Sequence, residues 1–432
     1  MDRTYQYHFT PQKGWMNDPN GLVYIDGVYH LFYQHYPHDI VWGPMHWGHA
    51  VSADLLHWQH KPIAIYPTEE EYIFSGSCVY DKENVSGLGT AERPALLAFY
   101  TGHNPVTGEE QQCVAYSTDF ETFTKYEGNP VIKNEKMQKD TMLENSEYKK
   151  DFRDPKVFSN PILGGFSMVL AAGYRLEFYH SNNFLSWEKT GEFVAKKGFT
   201  EICECPDCFP IKTEEGIKWI LILSLTSHVM PYYVGTFDGK TFVEEETGNT
   251  SQQPLLLDYA ADNYAMVSFA NSKETILLGW GESWDYVSQI PAKNYRGKMT
   301  MARKAELVKA DGIRHLKFTS VLAANMKPEN LSTEQKADTF NLWHGQIEEN
   351  QTVKFFLGNS KELRISVTQE EIIVDRSDAG DLSFSEYLQT KAASFSAKRV
   401  RTGECNVTVI QDNGYFEIFA EDGFVVFSVM TY

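Results

Sequence analysis

The sequence lacks long apolar runs and carries little positive charge. No stretch of about 18 apolar residues, the length that a membrane-spanning helix needs, occurs among its 432 residues. Lys and Arg number 39 against 58 Asp and Glu, which gives a formal net charge of −19. Such a charge disfavours binding to nucleic-acid phosphates or to anionic membranes. We therefore expect no nucleic-acid or membrane partner, and a neutral or cationic ligand suits the chain better.

Cysteines are few for a chain of this length. The six are irregularly spaced, which favours reduced thiols over a disulfide framework. The first ten residues, MDRTYQYHFT, have no basic segment followed by an apolar run, as a secretory signal would. We therefore expect a cytoplasmic location, unless a signal has been removed.

Amphipathic helices are almost absent, and short alternating strands dominate the first 305 residues. The pattern SADLLHW at 52 recurs as STDFETF at 117, SNNFLSW at 181 and TFDGKTF at 236. Intervals of roughly 55 to 65 residues are typical of propeller blades. A second series, NDPNG, FSGS, FRDPKV and ECPDCF, precedes the first, and DYAADNYA at 258 could open a fifth blade. The sequence predicts an all-β fold with a five-bladed β-propeller over residues 1–305.

The character of the sequence changes after about residue 305. Residues 306–327 are charged and lack the repeat, so they are predicted to form a linker. Beyond them TVKFFLG, ELRISV, EIIVDRS, CNVTVI and YFEIFA alternate between apolar and polar residues, with turn signals between the runs. This pattern predicts a β-sandwich over residues 328–432.

Three acidic residues stand in the second series of repeats. The first strands of successive propeller blades begin around one channel, so Asp18, Asp154 and Glu204 should converge. NDPNG is strong turn chemistry, and a turn rich in backbone N–H groups should keep Asp18 ionised. Glu204, flanked by Cys203, Cys205 and Pro206, has a less polar setting that should raise its pKa, which suits a general acid. One ionised and one protonated carboxyl group form the minimal apparatus for cleaving a glycosidic bond.

Four blocks, WMNDPNG, FSGS, FRDP and ECPD, stand in this order in the chain. They resemble the signature blocks of glycoside hydrolase family 32, which comprises invertases, fructanases and sucrose-6-phosphate hydrolases. The resemblance extends to FYQ, HWGHAVSADLLHW, LGWGESW, VDRS and FEIFAEDG, and so covers nearly the whole chain. It implies a five-bladed propeller followed by a β-sandwich, in agreement with the repeats.

The resemblance also implies a role for each block. Asp18 matches the nucleophile, Glu204 matches the acid/base, and Asp154 matches a transition-state stabiliser that hydrogen-bonds fructose hydroxyls. The residues implied to contact the substrate are Asn17, Gln34, Trp42, Phe74, Ser75, Arg153, Tyr264 and Trp280. The implied mechanism is double displacement with retention, which requires carboxyl groups roughly 5 to 5.5 Å apart. It requires no metal and no cofactor.

The prediction is therefore a retaining β-fructofuranosidase acting on sucrose or short fructo-oligosaccharides. A sucrose-6-phosphate hydrolase is an alternative, and it would need a basic cluster near the pocket. An inverting arabinanase or xylosidase on a propeller is a more remote one, and it would need a wider carboxylate separation. A sugar-binding propeller without activity should lack one of the three acids. The sequence leaves both a monomer and a homodimer open.

Two further groups of residues suggest metal binding. Alternation along a strand would place Cys203 and Cys205 on one face and Cys208 on the other, with no fourth ligand nearby. We therefore expect no zinc site. His46 and His49 are three residues apart on a predicted strand, and we expect them to pack or to form hydrogen bonds.

Overall fold

The structure is a computed structural model that describes residues 3–134, 151–195, 201–245, 255–310, 312–358 and 360–432. It is nearly all-β, as the sequence predicts, and the described strands form seven sheets. Five sheets lie in the N-terminal part and two in the C-terminal part. No helix in these ranges is long and apolar enough to cross a membrane.

The N-terminal sheets follow one another along the chain. The first contains β1 (Gly14–Ile25), β2 (Val28–Tyr36), β3 (His46–Ser52) and β4 (Gln59–Ile65), and the second β5 (Tyr72–Asp81), β6 (Ala95–His103), β7 (Glu110–Ser117) and β8 (Thr124–Lys125). The third contains β9 (Phe152–Ser159), β10 (Phe166–Ala172), β11 (Arg175–Ser181) and β12 (Glu188–Phe193), and the fourth β13 (Cys203–Thr213), β14 (Gly216–Leu225), β15 (Tyr232–Phe237) and β16 (Phe242–Glu244). The fifth contains β17 (Tyr264–Ser268), β18 (Ile276–Trp280), β20 (Arg303–Ala310) and β21 (Ile313–Ser320), while β19 (Tyr295–Arg296) joins the first sheet beside β1.

The first strands of these five sheets contact one another in a ring. β1 contacts β5, β5 contacts β9, β9 contacts β13, β13 contacts β17, and β17 returns to β1. A parallel bridge between Val23 and Ala270 lies at the point where the ring closes. Residues at equivalent positions of the five strands therefore face one common centre.

The two C-terminal sheets share one hydrophobic core. One sheet contains β22 (Glu329–Asn330), β24 (Phe340–Ile347), β29 (Cys405–Asp412), β30 (Tyr415–Ala420) and β31 (Val425–Met430). The other contains β23 (Glu334–Lys336), β25 (Gln351–Phe356), β26 (Glu362–Val367), β27 (Glu371–Asp375) and β28 (Ser394–Lys398). Trp343, Phe355 and Phe416 are buried in the core, and alternate residues of β27 face it, as period-two patterning predicts.

Helices are short. Those in the described part of the chain are α1 (Val321–Asn325), α2 (Glu386–Thr390) and two 3₁₀ turns, Val287–Gln289 and Glu421–Gly423.

The prediction of a linker over 306–327 is wrong where this segment forms the strands β20 and β21. β20 and β21 pair with each other, and β20 also pairs with β18, so they are the outer strands of the fifth sheet. The segment contains many charged residues because several side chains of its two strands are partly or fully exposed. The fifth N-terminal sheet therefore extends to Ser320.

The predicted turn at NDPNG is also wrong. Residues 17–21 lie inside β1, which pairs with β2 on both sides of them. The turn-forming residues serve β-bulges within the strand instead of a reversal of the chain. Gly21 has φ +55°, and a Cβ there would lie 2.6 Å from Sγ of Cys78.

Candidate active site

Each of the five ring strands has a β-bulge at the same level. Where each ring strand pairs with the second strand of its sheet, two successive paired positions are three residues apart in the ring strand and only two residues apart in its partner. The residues between the paired positions are Asn17–Asp18 in β1, Phe74–Ser75 in β5, Asp154–Pro155 in β9, Cys205–Pro206 in β13 and Ala265–Met266 in β17. Bulges re-aim side chains that regular alternation would send elsewhere. The bulges therefore form a second ring, and this ring carries two of the three predicted catalytic acids, Asp18 and Asp154, and lies next to the third, Glu204.

The thiol of Cys205 lies between two of the acids. Its Sγ is 3.4 Å from Oδ2 of Asp18 and 3.6 Å from Oδ2 of Asp154. The backbone N–H of Cys205 donates to the same Asp154 oxygen at 2.8 Å. Glu204 precedes Cys205 in the chain, so the structure brings all three acids together.

Asp18 keeps one carboxylate oxygen free. Its Oδ2 accepts a hydrogen bond of 2.7 Å from Oγ of Ser75. Its Oδ1 has no hydrogen-bond partner among the described residues. Burial raises the pKa of Asp18, and the Ser75 hydrogen bond opposes that rise. The expectation that backbone donors would hold Asp18 ionised is thus wrong in its cause, because the residue lies in a buried strand and not in an open turn.

Asp154 is almost completely buried and has a strained backbone. Only 6% of the residue is exposed, and burial raises its pKa to about 7 against the lowering effect of Arg153. Its backbone has φ +65°, a conformation that costs a non-glycine residue free energy. The backbone N–H of Asp154 donates to Oγ1 of Thr101 at 2.9 Å, which helps to hold this conformation.

Glu204 is held from two sides. The hydroxyl of Tyr264 donates to Oε2 at 2.5 Å, and Nη2 of Arg153 donates to Oε1 at 3.2 Å. Arg153 also contacts Oδ1 of Asp151 at 2.5 Å and Oε2 of Glu110 at 3.0 Å. Arg153 and Tyr264 therefore orient the carboxylate of Glu204.

The other predicted substrate residues lie on the bulges or beside them. Nε2 of Gln34 donates to the carbonyl of Ile73 at 3.0 Å, one residue before Phe74. The rings of Phe74 and Trp42 meet edge to face at 6.0 Å, and Trp42 is 44% exposed. Oδ1 of Asn17 accepts from Nε1 of Trp15 at 2.8 Å, which fixes the amide beside Asp18.

Trp280 lies in the hydrophobic core of the N-terminal part. It has no exposed surface and packs in the core against Trp15 and Trp284, with ring centroids 6.2 and 4.8 Å away. All five residues of β18 are buried, and Trp280 lies in the same core cluster as Trp15 of β1. Trp284, four residues later, is partly exposed and lies 5.7 Å from Trp15.

Some residues at this site were not found from the sequence. Glu110 and Asp151 bind Arg153, but neither stands in a repeated block. Cys205 was weighed as a zinc ligand and as a less polar neighbour of Glu204, and not as a contact of Asp18 and Asp154. The prolines that follow Asp18, Asp154 and Cys205 were a usable signal, because proline inside a strand is largely confined to edges and bulges.

The cysteines do not alternate as expected. Cys203 and Cys208 are buried in one core cluster and Cys205 in another, because the bulge shifts the alternation by one residue. All six cysteines are buried and free, as the irregular spacing predicts. Among the described residues, no group of three or more His, Cys, Asp or Glu could hold a metal ion.

The two histidines of HWGH are packing and hydrogen-bonding residues, as expected. Nδ1 of His46 lies 2.9 Å from the carbonyl of Pro44. His49 stacks on Phe32 and lies 3.1 Å from the ring of His30.

The chain matches two family models over almost its whole length. Residues 8–317 match the glycosyl hydrolases family 32 N-terminal domain, and residues 315–432 match the family 32 C-terminal domain. These two matches, together with the carboxylates that converge on one ring of bulges, define a glycoside hydrolase. The chain belongs to glycosyl hydrolase family 32.

Similar proteins of known name support the family assignment. A levanase of Bacillus subtilis is 36% identical over 97% of this chain and 64% of its own length. An invertase of Schizosaccharomyces pombe is 38% identical over 69% of this chain and 52% of its own length. The chain thus spans between about half and two thirds of these two relatives.

Solved structures share the fold. The exo-inulinase from Aspergillus awamori superposes with a TM-score of 0.88 at 27% identity, covering 99% of this chain and 92% of that one. The β-fructofuranosidase from Schwanniomyces occidentalis, complexed with fructose, gives 0.82 at 26% identity, covering 100% and 92%.

Proposed function

We propose that the protein is a retaining β-fructofuranosidase that releases terminal fructosyl units from sucrose and short fructo-oligosaccharides. The observation that carries the proposal is the meeting of Asp18 and Asp154 at Sγ of Cys205, beside Glu204. Relatives named invertase and levanase, and a similar structure holding fructose, support the choice of a fructosyl substrate.

Asp18 is the proposed nucleophile. Its free Oδ1 attacks C2 of the fructosyl unit, while Ser75 holds Oδ2 and so fixes the direction of attack. The raised pKa of Asp18 increases the basicity of its carboxylate once it is ionised. The fructosyl–enzyme ester that forms keeps the sugar in the pocket until water arrives.

Glu204 is the proposed acid and then base. It protonates the oxygen of the leaving group in the first step and deprotonates the attacking water in the second. Tyr264 and Arg153 hold its two oxygens, so the same carboxyl group keeps one position through both steps.

Asp154 is the proposed stabiliser of the transition state. Its carboxylate has few partners besides Cys205, which leaves it able to accept hydrogen bonds from sugar hydroxyls. Such bonds strengthen as positive charge develops on the ring in the oxocarbenium-like state.

We also propose that the five N-terminal sheets are the blades of a five-bladed propeller and that the two C-terminal sheets form a sandwich. The closed ring of first strands supports the first statement, and the shared core supports the second.

A sucrose-6-phosphate hydrolase is less favoured. A phosphate needs cationic side chains free to bind it. Among the described residues that contact the three acids, the cation is Arg153, and three carboxylates already bind it.

The test is fructose release from sucrose, sucrose 6-phosphate, kestose and inulin by the wild type and by Asp18→Asn. We expect the wild type to act on sucrose and kestose, and the variant to lose about 10⁴-fold or more in kcat, as removal of a nucleophile does. Proton NMR at early times should show β-fructofuranose as the first product, since double displacement retains configuration.

Other results would redirect the assignment. An α-anomer as the first product would indicate an inverting enzyme. Preference for sucrose 6-phosphate would favour the alternative substrate. Action on an arabinoside or xyloside alone would refute the fructosidase proposal.

A further inference from the structure

Arg153 donates to three carboxyl groups, and two of them have no part in the proposed reaction. Nη1 of Arg153 donates to Oε1 and Oε2 of Glu110 at 3.1 and 3.0 Å, and to Oδ1 of Asp151 at 2.5 Å. Nη2 donates to Oε1 of Glu204 at 3.2 Å. The proposed acid/base therefore shares this guanidinium with Glu110 and Asp151.

Glu110 and Asp151 are held close to the ring of first strands. Glu110 is the first residue of β7, and Asp151 directly precedes β9. Oε2 of Glu110 accepts a hydrogen bond of 2.8 Å from the backbone N–H of Phe152. The side chains of Glu110 and Asp151 are 4% and 16% exposed. Charges at such positions interact strongly, because little water screens them.

A cation beside a general acid works against its task. A guanidinium next to Glu204 favours the ionised carboxylate, because an opposite charge stabilises the charged form. A general acid must instead carry a proton when the substrate is bound. Glu110 and Asp151 bind the other amino group of the same guanidinium, and their negative charges oppose its effect on Glu204.

The charge states of these partners agree with such a balance. Burial alone would raise the pKa of Glu110, but Arg153 outweighs it and the pKa lies below the ordinary value. Burial raises the pKa of Asp151 against the lowering effect of Arg153. Burial would lower the pKa of Arg153, but carboxylates led by Glu110 raise it well above its usual range. Arg153 is therefore a cation, and Glu110 is the more firmly ionised of its two extra partners.

Other titratable groups also face Glu204 or its partners. Nδ1 of His103 lies 3.4 Å from Oε1 of Glu110. The remaining groups are Asp18 of β1, Asp154 of β9, Cys203 and Cys205 of β13, Tyr264 of β17, and His228, which packs on Tyr264 and pairs with Asp285. All of them are the same in the wild type and in the variants below. A difference between these proteins therefore reports on Glu110 or Asp151.

We propose that Glu110 and Asp151 are positioning residues that act on the acid/base through Arg153. By binding the guanidinium they offset its charge, so that Glu204 keeps its proton until the leaving group takes it. Arg153 can then orient the carboxyl group of Glu204 without depriving it of that proton. The proposal rests on the proposed role of Glu204.

The pH dependence of kcat/KM on sucrose tests the proposal. Its basic limb reports loss of the proton from the essential acid of the free enzyme. Glu110→Gln keeps the shape of the side chain and removes its charge, so the basic limb should move to lower pH by about one pH unit. Glu188→Gln, at an exposed position of β12, is the matched control and should leave the limb where it is. A limb that stays in place in Glu110→Gln, or moves to higher pH, would overturn the proposal.

A second variant guards against misfolding of the first. Asp151→Asn changes a more exposed side chain and should move the limb in the same direction. Thermal unfolding reports on the fold of both variants. If Glu110→Gln does not fold, the limb of Asp151→Asn decides by the same criterion.

The leaving group separates loss of the proton from structural damage. With p-nitrophenyl β-fructofuranoside, whose leaving group needs little protonation, Glu110→Gln should lose much less activity at alkaline pH than with sucrose. Equal losses on both substrates at every pH would show a structural role alone and would refute the proposal.

A direct titration separates this proposal from the proposed function. In protein labelled with carbon-13 at Cδ of glutamate, the resonance of Glu204 is the one missing from Glu204→Gln. Its titration midpoint should lie at lower pH in Glu110→Gln than in the wild type, and an unchanged or higher midpoint would refute the proposal. An absence of fructose release by the wild type would refute the proposed activity, while the titration would still decide whether Glu110 controls the proton of Glu204.

Discussion

The hydroxyl of Tyr264 donates a 2.5 Å hydrogen bond to Oε2 of Glu204. Hydrogen bonds to charged groups contribute about 1.5 to 3 kcal/mol. Tyr264→Phe should therefore lower kcat on sucrose by roughly 10- to 100-fold, because Glu204 loses the partner that orients it. Steady-state kinetics of fructose release measures this loss.

Substrates with different leaving groups show whether Tyr264→Phe impairs the acid Glu204 in particular or disrupts the active site as a whole. With p-nitrophenyl β-fructofuranoside, whose leaving group needs little protonation, Tyr264→Phe should cost the bond-cleavage step much less than with sucrose. If the rate of the bond-cleavage step, measured before the steady state, fell equally on both substrates, the assigned role of Tyr264 would be contradicted.

Arg153 contacts three carboxylates, and the side chain of Glu110 among them is only 4% exposed. Breaking a buried ion pair from one side typically costs about 3 to 5 kcal/mol, because a buried charge is left alone. Arg153→Gln should lower the free energy of unfolding by that order, measured in urea. Lys336→Gln is the control, because its pair with Asp338 is largely exposed and should contribute less than about 1 kcal/mol. Similar losses in both variants would contradict the prediction.

Asp154 links stability to pH. Burial raises its pKa from 3.8 to about 7, so the folded state holds this proton more tightly than the unfolded chain does. The stabilisation is full below about pH 4 and is lost as the pH rises to about 7. Asp154→Asn, which cannot ionise, should gain stability relative to the wild type across that window, by at most about 4 kcal/mol.

Melting temperatures at pH 5 and pH 8 test this relationship. The difference between Asp154→Asn and the wild type should be more positive at pH 8. Asp119→Asn is the control, since backbone hydrogen bonds led by Thr122 lower the pKa of Asp119 to about 2. Its difference from the wild type should not change between pH 5 and pH 8.

The six thiols are buried, and burial, helped by the nearby carboxylates, raises the pKa of Cys205. Thiolates are the reactive species, so the folded protein should react very slowly with a disulfide reagent such as Ellman's. In urea all six should react. Fast modification of a thiol in the folded protein would show that a cysteine is exposed.

Much of the site could be predicted from the sequence. Asp18, Asp154 and Glu204 were identified because they stand in blocks that repeat at the starts of successive sheets. Their convergence follows from the ring of first strands, which the spacing of the repeats indicates.

The bulges could not be predicted, because a bulge is a relation between two strands. A bulge exists only when a spacing of three residues in one strand lies opposite a spacing of two residues in its partner. The apolar and polar alternation of one strand does not contain that information. The error about Cys203 and Cys208 and the turn assigned at Asp18 share this cause.

The outer strands of the fifth sheet were missed for a different reason. β20 and β21 keep charged residues on partly exposed faces, so they lack the apolar alternation by which strands are recognised. Their place in the sheet is determined by pairing with β18 and with each other.

Arg303 of the fifth sheet contacts Asp258 at 3.0 Å and Glu417 of the C-terminal part at 2.8 Å, and all three side chains are fully buried. A fragment without the C-terminal sheets would leave that guanidinium facing water without Glu417 and Ser428, two of the three side chains that it contacts among the described residues. Grafting the C-terminal sheets of another family member would succeed only if the graft supplied an acid at the position of Glu417. The two parts are therefore not interchangeable modules, and recombination between relatives should yield folded proteins only when these charges are inherited together.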